Sequence, residues 1–212
     1  MKRCGLLALS FLLLIAAAAR AEDGAVIKKS AANVAIRTFD PKHMPKDMPK
    51  LNKNEAAVTE TVFGCAVQVE VETKTINGKP VKTTVVAVRV KLSLDVTEWL
   101  PRDGSSKIKA HEDAHRSISE LYYETADKAA TEVAEQYIGK QLEVKDKDAS
   151  GEIKRVASEV CEKYLSRIEK PSQRAQELFD EITDHGRNSI PEQRAMDKAV
   201  KQSKQEFAPK KK

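Results

Sequence analysis

Two alternating runs constrain this chain more than anything else in it. Phe63, Cys65, Val67, Val69 and Val71 alternate with Gln68, Glu70 and Glu72, and Thr84, Val86, Val88, Val90, Leu92, Leu94 and Val96 mark one side of a second run. A period of two belongs to a half-buried strand, because successive side chains leave opposite faces of the backbone. Asn77-Gly78 between the runs is the strongest short hairpin signal, since both residues tolerate the positive φ of a tight turn. The sequence therefore predicts an antiparallel hairpin with Cys65 facing inward.

The second run passes through Trp99-Leu100-Pro101 into Arg102-Asp103-Gly104, after which Ser105 or Ser106 offers an N-cap oxygen. Beyond it Ile108, His111, His115, Ile118, Tyr122, Ala126, Ala129 and Val133 recur at steps of three and four, which predicts a helix reaching about Gly139. A second helical region spans about 151–183, bent or interrupted near Pro171. Gly186 then fits a helix C-cap, and Ser189-Ile190-Pro191-Glu192 carries a capping serine, a first-turn proline and a third-position acid, opening a last helix to about Phe207. Before the hairpin, Pro41, Pro45 and Pro49 stand among lysines, so 22–57 reads as largely irregular apart from a strand signal at Val34-Ala35-Ile36-Arg37. The expected fold class is α+β, a small antiparallel sheet packed on long helices, with one domain over 58–207 and a basic tail over 208–212.

Met1-Lys2-Arg3, the apolar run from Gly5 to Ala19 and Ala19-Arg20-Ala21 have the layout of a secretory signal peptide cleaved after Ala21. The expectation is an exported chain, periplasmic or extracellular. No later segment approaches the ~20 apolar residues a bilayer span needs, so no stable membrane insertion is expected. The formal charge of +5 comes from 37 Lys+Arg against 32 Asp+Glu; losing Lys2, Arg3 and Arg20 leaves 34 against 32, or +2. With both signs mixed along the helices, nucleic acid is not an expected partner. Cys65 and Cys161 would remain after export, and an isolated pair in an oxidising compartment reads as one disulfide.

His111-Glu112-Asp113-Ala114-His115 is the His-Glu-x-x-His pattern of helical zinc peptidases. Side chains four apart share a helix face, with Cβ atoms roughly 5–6 Å from each other, so two imidazoles can converge on one tetrahedral ion. Glu112, one step round the helix, stands where a general base reaches a metal-activated water without occupying a ligand position. The plainer alternative is two satisfied core histidines beside a solvated acid. A catalytic zinc takes three protein ligands. Among Glu120, Asp127, Glu132, Glu135 and His185, the first two lie too close to His115 on the same helix to bend back. Glu132 and Glu135 share that difficulty unless the helix breaks, whereas His185 sits in a capped corner that presents its ring rigidly.

These residues resemble the predicted secreted zinc-dependent proteases of bacteria. The resemblance covers about Phe63 to Arg194 and rests on Gly64-Cys65 opening a strand, Trp99-Leu100-Pro101, the His-Glu-x-x-His run, Cys161 in a helix, and Phe179-Asp180-x-x-Thr183-x-His185-Gly186 with Gln193 beyond. It implies a zincin-like fold, a zinc cofactor held by His111, His115 and His185, Glu112 as catalytic base, Cys65 bonded to Cys161, and a peptide or protein substrate. Asp113-Ala114 departs from the Gln and Gly that relatives often carry there. The expectation is an exported zinc metallopeptidase, a hydrolase. For a transition-state donor Tyr122, Tyr123 and Arg187 are available without being assigned, and Asp184 and Glu120 are candidates to orient an imidazole. The rival reading is an exported helical zinc-containing scaffold or binding protein without turnover, which has no use for an acid at position 112.

Overall fold

A computed structural model describes residues 23–52, 55–76, 79–143 and 149–208. The expected leader at 1–21, the expected Asn77-Gly78 turn and residues 209–212 of the tail lie outside the described residues. The elements are β1 (Gly24–Lys29), β2 (Asn33–Phe39), β3 (Val58–Ile76), β4 (Lys79–Pro101), α1 (Ser106–Glu124), α2 (Ala126–Ala134), β5 (Gln141–Leu142), α3 (Ser150–Thr183) and α4 (Glu192–Glu206).

β4 is the spine of a five-stranded mixed sheet. β3 pairs with it antiparallel from Val58↔Trp99 to Ile76↔Lys79. Three short strands share the other edge: β5 against Thr83 and Thr84, β1 parallel along Ala87–Leu92, and β2 parallel along Asp95–Pro101. The expectation of a largely irregular 22–57 segment and of a purely antiparallel sheet is thereby corrected. β2 takes in the strand signal at Val34-Ala35-Ile36-Arg37, whereas β1 has no clean alternation of its own; an unsatisfied edge of β4, whose amides and carbonyls need partners, makes a strand of it.

A second correction concerns register. Glu70 pairs with Ala87 but Val71 with Val85, so Val86 is an extra residue. One residue inserted into a period-two pattern moves every side chain beyond it to the other face. Thr83 and Val85 therefore face the core in place of Thr84 and Val86, while Val88, Val90, Leu92, Leu94 and Val96 keep the inward positions read from the sequence. The inward row then continues to Glu98, a fully buried acid. Its neighbour Trp99 turns to the opposite face, where it packs with Phe39, Met48, Leu51 and Val58.

Ser105 caps α1, its Oγ accepting from the Ile108 amide at 3.3 Å. The expected long helix breaks at Thr125 and ends at Ala134 rather than near Gly139. α3 runs unbroken for 34 residues through Pro171. Pro171 is buried, and its carbonyl accepts from Ser203 Oγ at 2.6 Å, which fixes α4 against α3. Ser189 is not the cap of α4: Pro191 holds that position, with no side-chain cap bond. Cys65–Cys161, with Cα atoms 5.7 Å apart, ties β3 to α3. Among the described residues no helix is long and apolar enough to cross a membrane.

Candidate metal centre

The helical spacing of the motif puts both histidines on the side of α1 that faces α3. His111 is buried and His115 nearly so. Phe179 of α3 lies against both, stacked on the His111 ring at 4.9 Å and edge-on to His115 at 5.0 Å, so each imidazole has little rotational freedom. Their Nε2 atoms approach to 3.2 Å. Asp180, one residue further along α3, puts Oδ1 3.2 Å from His111 Nε2 and 3.1 Å from His115 Nε2.

With both rings neutral, hydrogen bonding alone does not satisfy this triangle. Gln176 Nε2 donates to the His115 carbonyl and to Ser119 Oγ, both at 2.9 Å, which leaves Oε1 as the acceptor for the His115 Nδ1–H. A neutral imidazole carries one N–H, so His115 Nε2 presents a lone pair to the Asp180 oxygen, itself an acceptor. A proton or a cation must lie between them. Bonds of 2.0–2.1 Å to a tetrahedral zinc would separate its ligand atoms by about 3.3 Å, close to all three observed distances. In the sequence Asp180 stands out only within the Phe179-to-Gly186 run and not as a ligand, because it is far from the His-Glu-x-x-His motif and has no helical spacing relation to it. The available signal was a row of polar residues, Ser172, Gln176, Asp180 and Thr183, on a helix face otherwise occupied by core residues such as Ala175 and Phe179.

His185 stands further out. Its Nδ1 is 3.7 Å from Asp180 Oδ1 and 3.6 Å from Glu55 Oε1, and it has no hydrogen-bond partner. Asp184 and His185 both take φ near +50°, so the chain reverses here and brings the ring back toward Asp180. Two donor groups thus share one carboxylate: His111, His115 and Asp180, and Glu55, Asp180 and His185. The residue orienting His115 is Gln176, and neither Asp184, which pairs with Arg187, nor Glu120, which lies beside Arg116, takes that part. Of the other third-ligand candidates, Glu132 pairs with Arg167 and Asp127 with Lys29.

Glu112 is buried and accepts from Thr59 Oγ1 at 2.8 Å, so β3 holds the acid of the motif helix. Burial pushes its pKa up, against the pull of His115, the Thr59 hydroxyl and His111. Asp180 behaves oppositely: burial alone would raise it, but hydrogen bonds from His111 and His115 and their charge hold it well below the usual carboxylate range. For His115 burial favours the neutral ring, yet the bond and charge of Asp180 prevail and raise its pKa. These groups line one cleft of about 560 Å³ with Val58, Thr59 and Thr61 of β3 and Gln173 of α3. Arg187 reaches this cleft, whereas Tyr123 donates to the Ser30 carbonyl at 2.9 Å and Tyr122 packs beneath Lys204. No protein-family model, curated protein or solved structure matches this chain.

Proposed function

We propose that this chain is a zinc metallopeptidase of zincin-like type. The observation that carries the reading is the triangle of His111 Nε2, His115 Nε2 and Asp180 Oδ1, with sides of 3.1–3.2 Å, in the cleft that also holds Glu112. Two imidazoles and a carboxylate suit zinc, and three protein ligands leave a position for water or substrate. His185, the ligand implied by the family resemblance, faces the same carboxylate and is the second candidate for the third place.

When bound, zinc supplies a Lewis acid that polarises a carbonyl oxygen and acidifies a water. The remaining work belongs to the chain. Glu112 takes the proton from the attacking water and returns it to the leaving amine; a carboxyl pKa raised by burial lies nearer the working pH, where such exchange is most effective. Thr59 keeps that carboxylate from swinging toward the metal ligands. Among the described residues β3 pairs with β4 alone, and Val58, Thr59 and Thr61 border the cleft. An extended peptide would add to that edge through main-chain hydrogen bonds beside Glu112. The Cys65–Cys161 bridge and the leader-like 1–21 support an exported protein.

The test is Glu112→Gln. The amide keeps the shape but cannot take up the proton, so the variant should retain about one equivalent of zinc and lose peptide hydrolysis. Zinc-loaded wild type that cleaves nothing above this control across a proteome-derived peptide library would replace the peptidase reading with the scaffold.

A further inference from the structure

His111 has two ring nitrogens, and the zinc reading occupies only one. Nδ1 is buried with no hydrogen-bond partner. The acceptor facing it is Glu192 Oε2, 3.6 Å away, which is also buried and also unpartnered. Glu192 is the first residue of α4, a helix secured to α3 at its far end by Ser203 on the Pro171 carbonyl and Glu206 on Arg174. Between the two helices lies Gly186, with φ +74°. A Cβ there would stand 3.1 Å from His111 Cγ and 3.2 Å from its Nδ1. A residue without a side chain keeps this flank of the ring uncrowded.

A metal-ligating histidine must offer a lone pair at one nitrogen, and the hydrogen bond at the other decides which nitrogen that is. For His115 that bond goes to Gln176. Nothing in hydrogen-bond range does the same for His111, yet a buried carboxylate waits at the required nitrogen. We propose that Glu192 is the positioning residue of His111: its carboxylate accepts Nδ1–H in the zinc-loaded protein, fixing the tautomer that exposes Nε2 to the metal. The inference rests on the zinc reading above. It makes α4 part of the metal centre, so that loading the metal tightens the start of this helix against α1.

The experiment compares wild type, Glu192→Ala, Glu192→Gln and Glu192→Ala/Gln193→Glu, each as full-length protein. Zinc affinity is measured by chelator competition, and imidazole tautomers are read by nitrogen NMR of the zinc-loaded form. The double variant returns a negative charge to the first turn of α4 at a position where the native Gln193 amide donates to Asp197, and so separates the charge at the helix terminus from contact with His111. Loss of an outer partner typically costs 10–100-fold in metal affinity, so Glu192→Ala should weaken zinc binding by about that factor. Glu192→Gln, which retains an acceptor oxygen, should recover part of the loss, and the double variant none of it. Zinc affinity unchanged in Glu192→Ala, or restored in the double variant, would overturn the inference and leave the zinc reading intact. Failure of wild type itself to bind zinc would overturn both.

Discussion

Arg116→Met should destabilise the protein by an amount that depends on pH in a calculable way. Glu98 is fully buried on the inward face of β4, and its partner is Arg116, whose guanidinium donates to Oε1 at 2.8 Å. Breaking a buried pair by removing one partner usually costs about 3–5 kcal/mol, because a charge is left without compensation. The stranded carboxylate can instead take up a proton. From the reference pKa of 4.5, this costs about 3.4 kcal/mol at pH 7 and about 0.7 kcal/mol at pH 5, at 1.36 kcal/mol per unit. Protonation therefore caps the loss near 3.4 kcal/mol at pH 7 and makes it small at pH 5. Burial already raises the Glu98 pKa in the wild type, against the pull of Arg116, and removing Arg116 raises it further. Above pH 4.5 the native variant holds more protons than the unfolded chain, so its stability falls as pH rises. Urea unfolding at pH 5, 6 and 7 should show the gap from wild type widening with pH by up to about 2.7 kcal/mol, reduced by the slope that the raised Glu98 pKa already gives the wild type, and Glu98→Gln/Arg116→Met should remove the widening. A loss equal at pH 5 and pH 7, or below about 1 kcal/mol at pH 7, would refute the argument.

Asp180→Ala should abolish zinc retention measured by metal analysis, and His185→Ala should weaken it less; the reverse order would give the third ligand position to His185. Replacing both cysteines by alanine frees a loop of sequence separation 96, for which loop entropy gives about 4.7 kcal/mol; a loss under about 1 kcal/mol in urea unfolding would show that the unfolded chain is not what the bridge restrains. Gly186→Ala combines a left-handed φ with a Cβ 3.1 Å from His111 Cγ, so a stability loss of about 1–2 kcal/mol should accompany weaker zinc binding, and an unchanged zinc affinity would show that the ring yields freely.

The features legible in the chain were those written by neighbours along it. The inward row from Val88 to Val96, the convergence of His111 and His115 and the Ser105 cap each follow from local periodicity or a short-range hydrogen bond, which any window of ten residues contains. The pairing of Cys65 with Cys161 was legible for a different reason, since with Cys4 inside the expected leader only one bridge is left. The features that failed were those decided by a distant partner. β1 is a strand, and β2 pairs parallel, because β4 has an edge to satisfy, and the phase of Thr83 and Val85 is set by a bulge that appears only once β3 is paired. Glu98 continues an apolar row as an acid because Arg116, 18 positions away, comes to meet it. Asp180, Gln176 and Glu192 reach the motif from α3 and α4 across separations of 61 residues or more, so no spacing rule could join them to His111 and His115. The sequence alone determined which helix carries the candidate site and which side chains begin it. Only the tertiary structure decided what completes the site, because ligand geometry is a condition on distances in space, and periodicity reports only on distances along the chain.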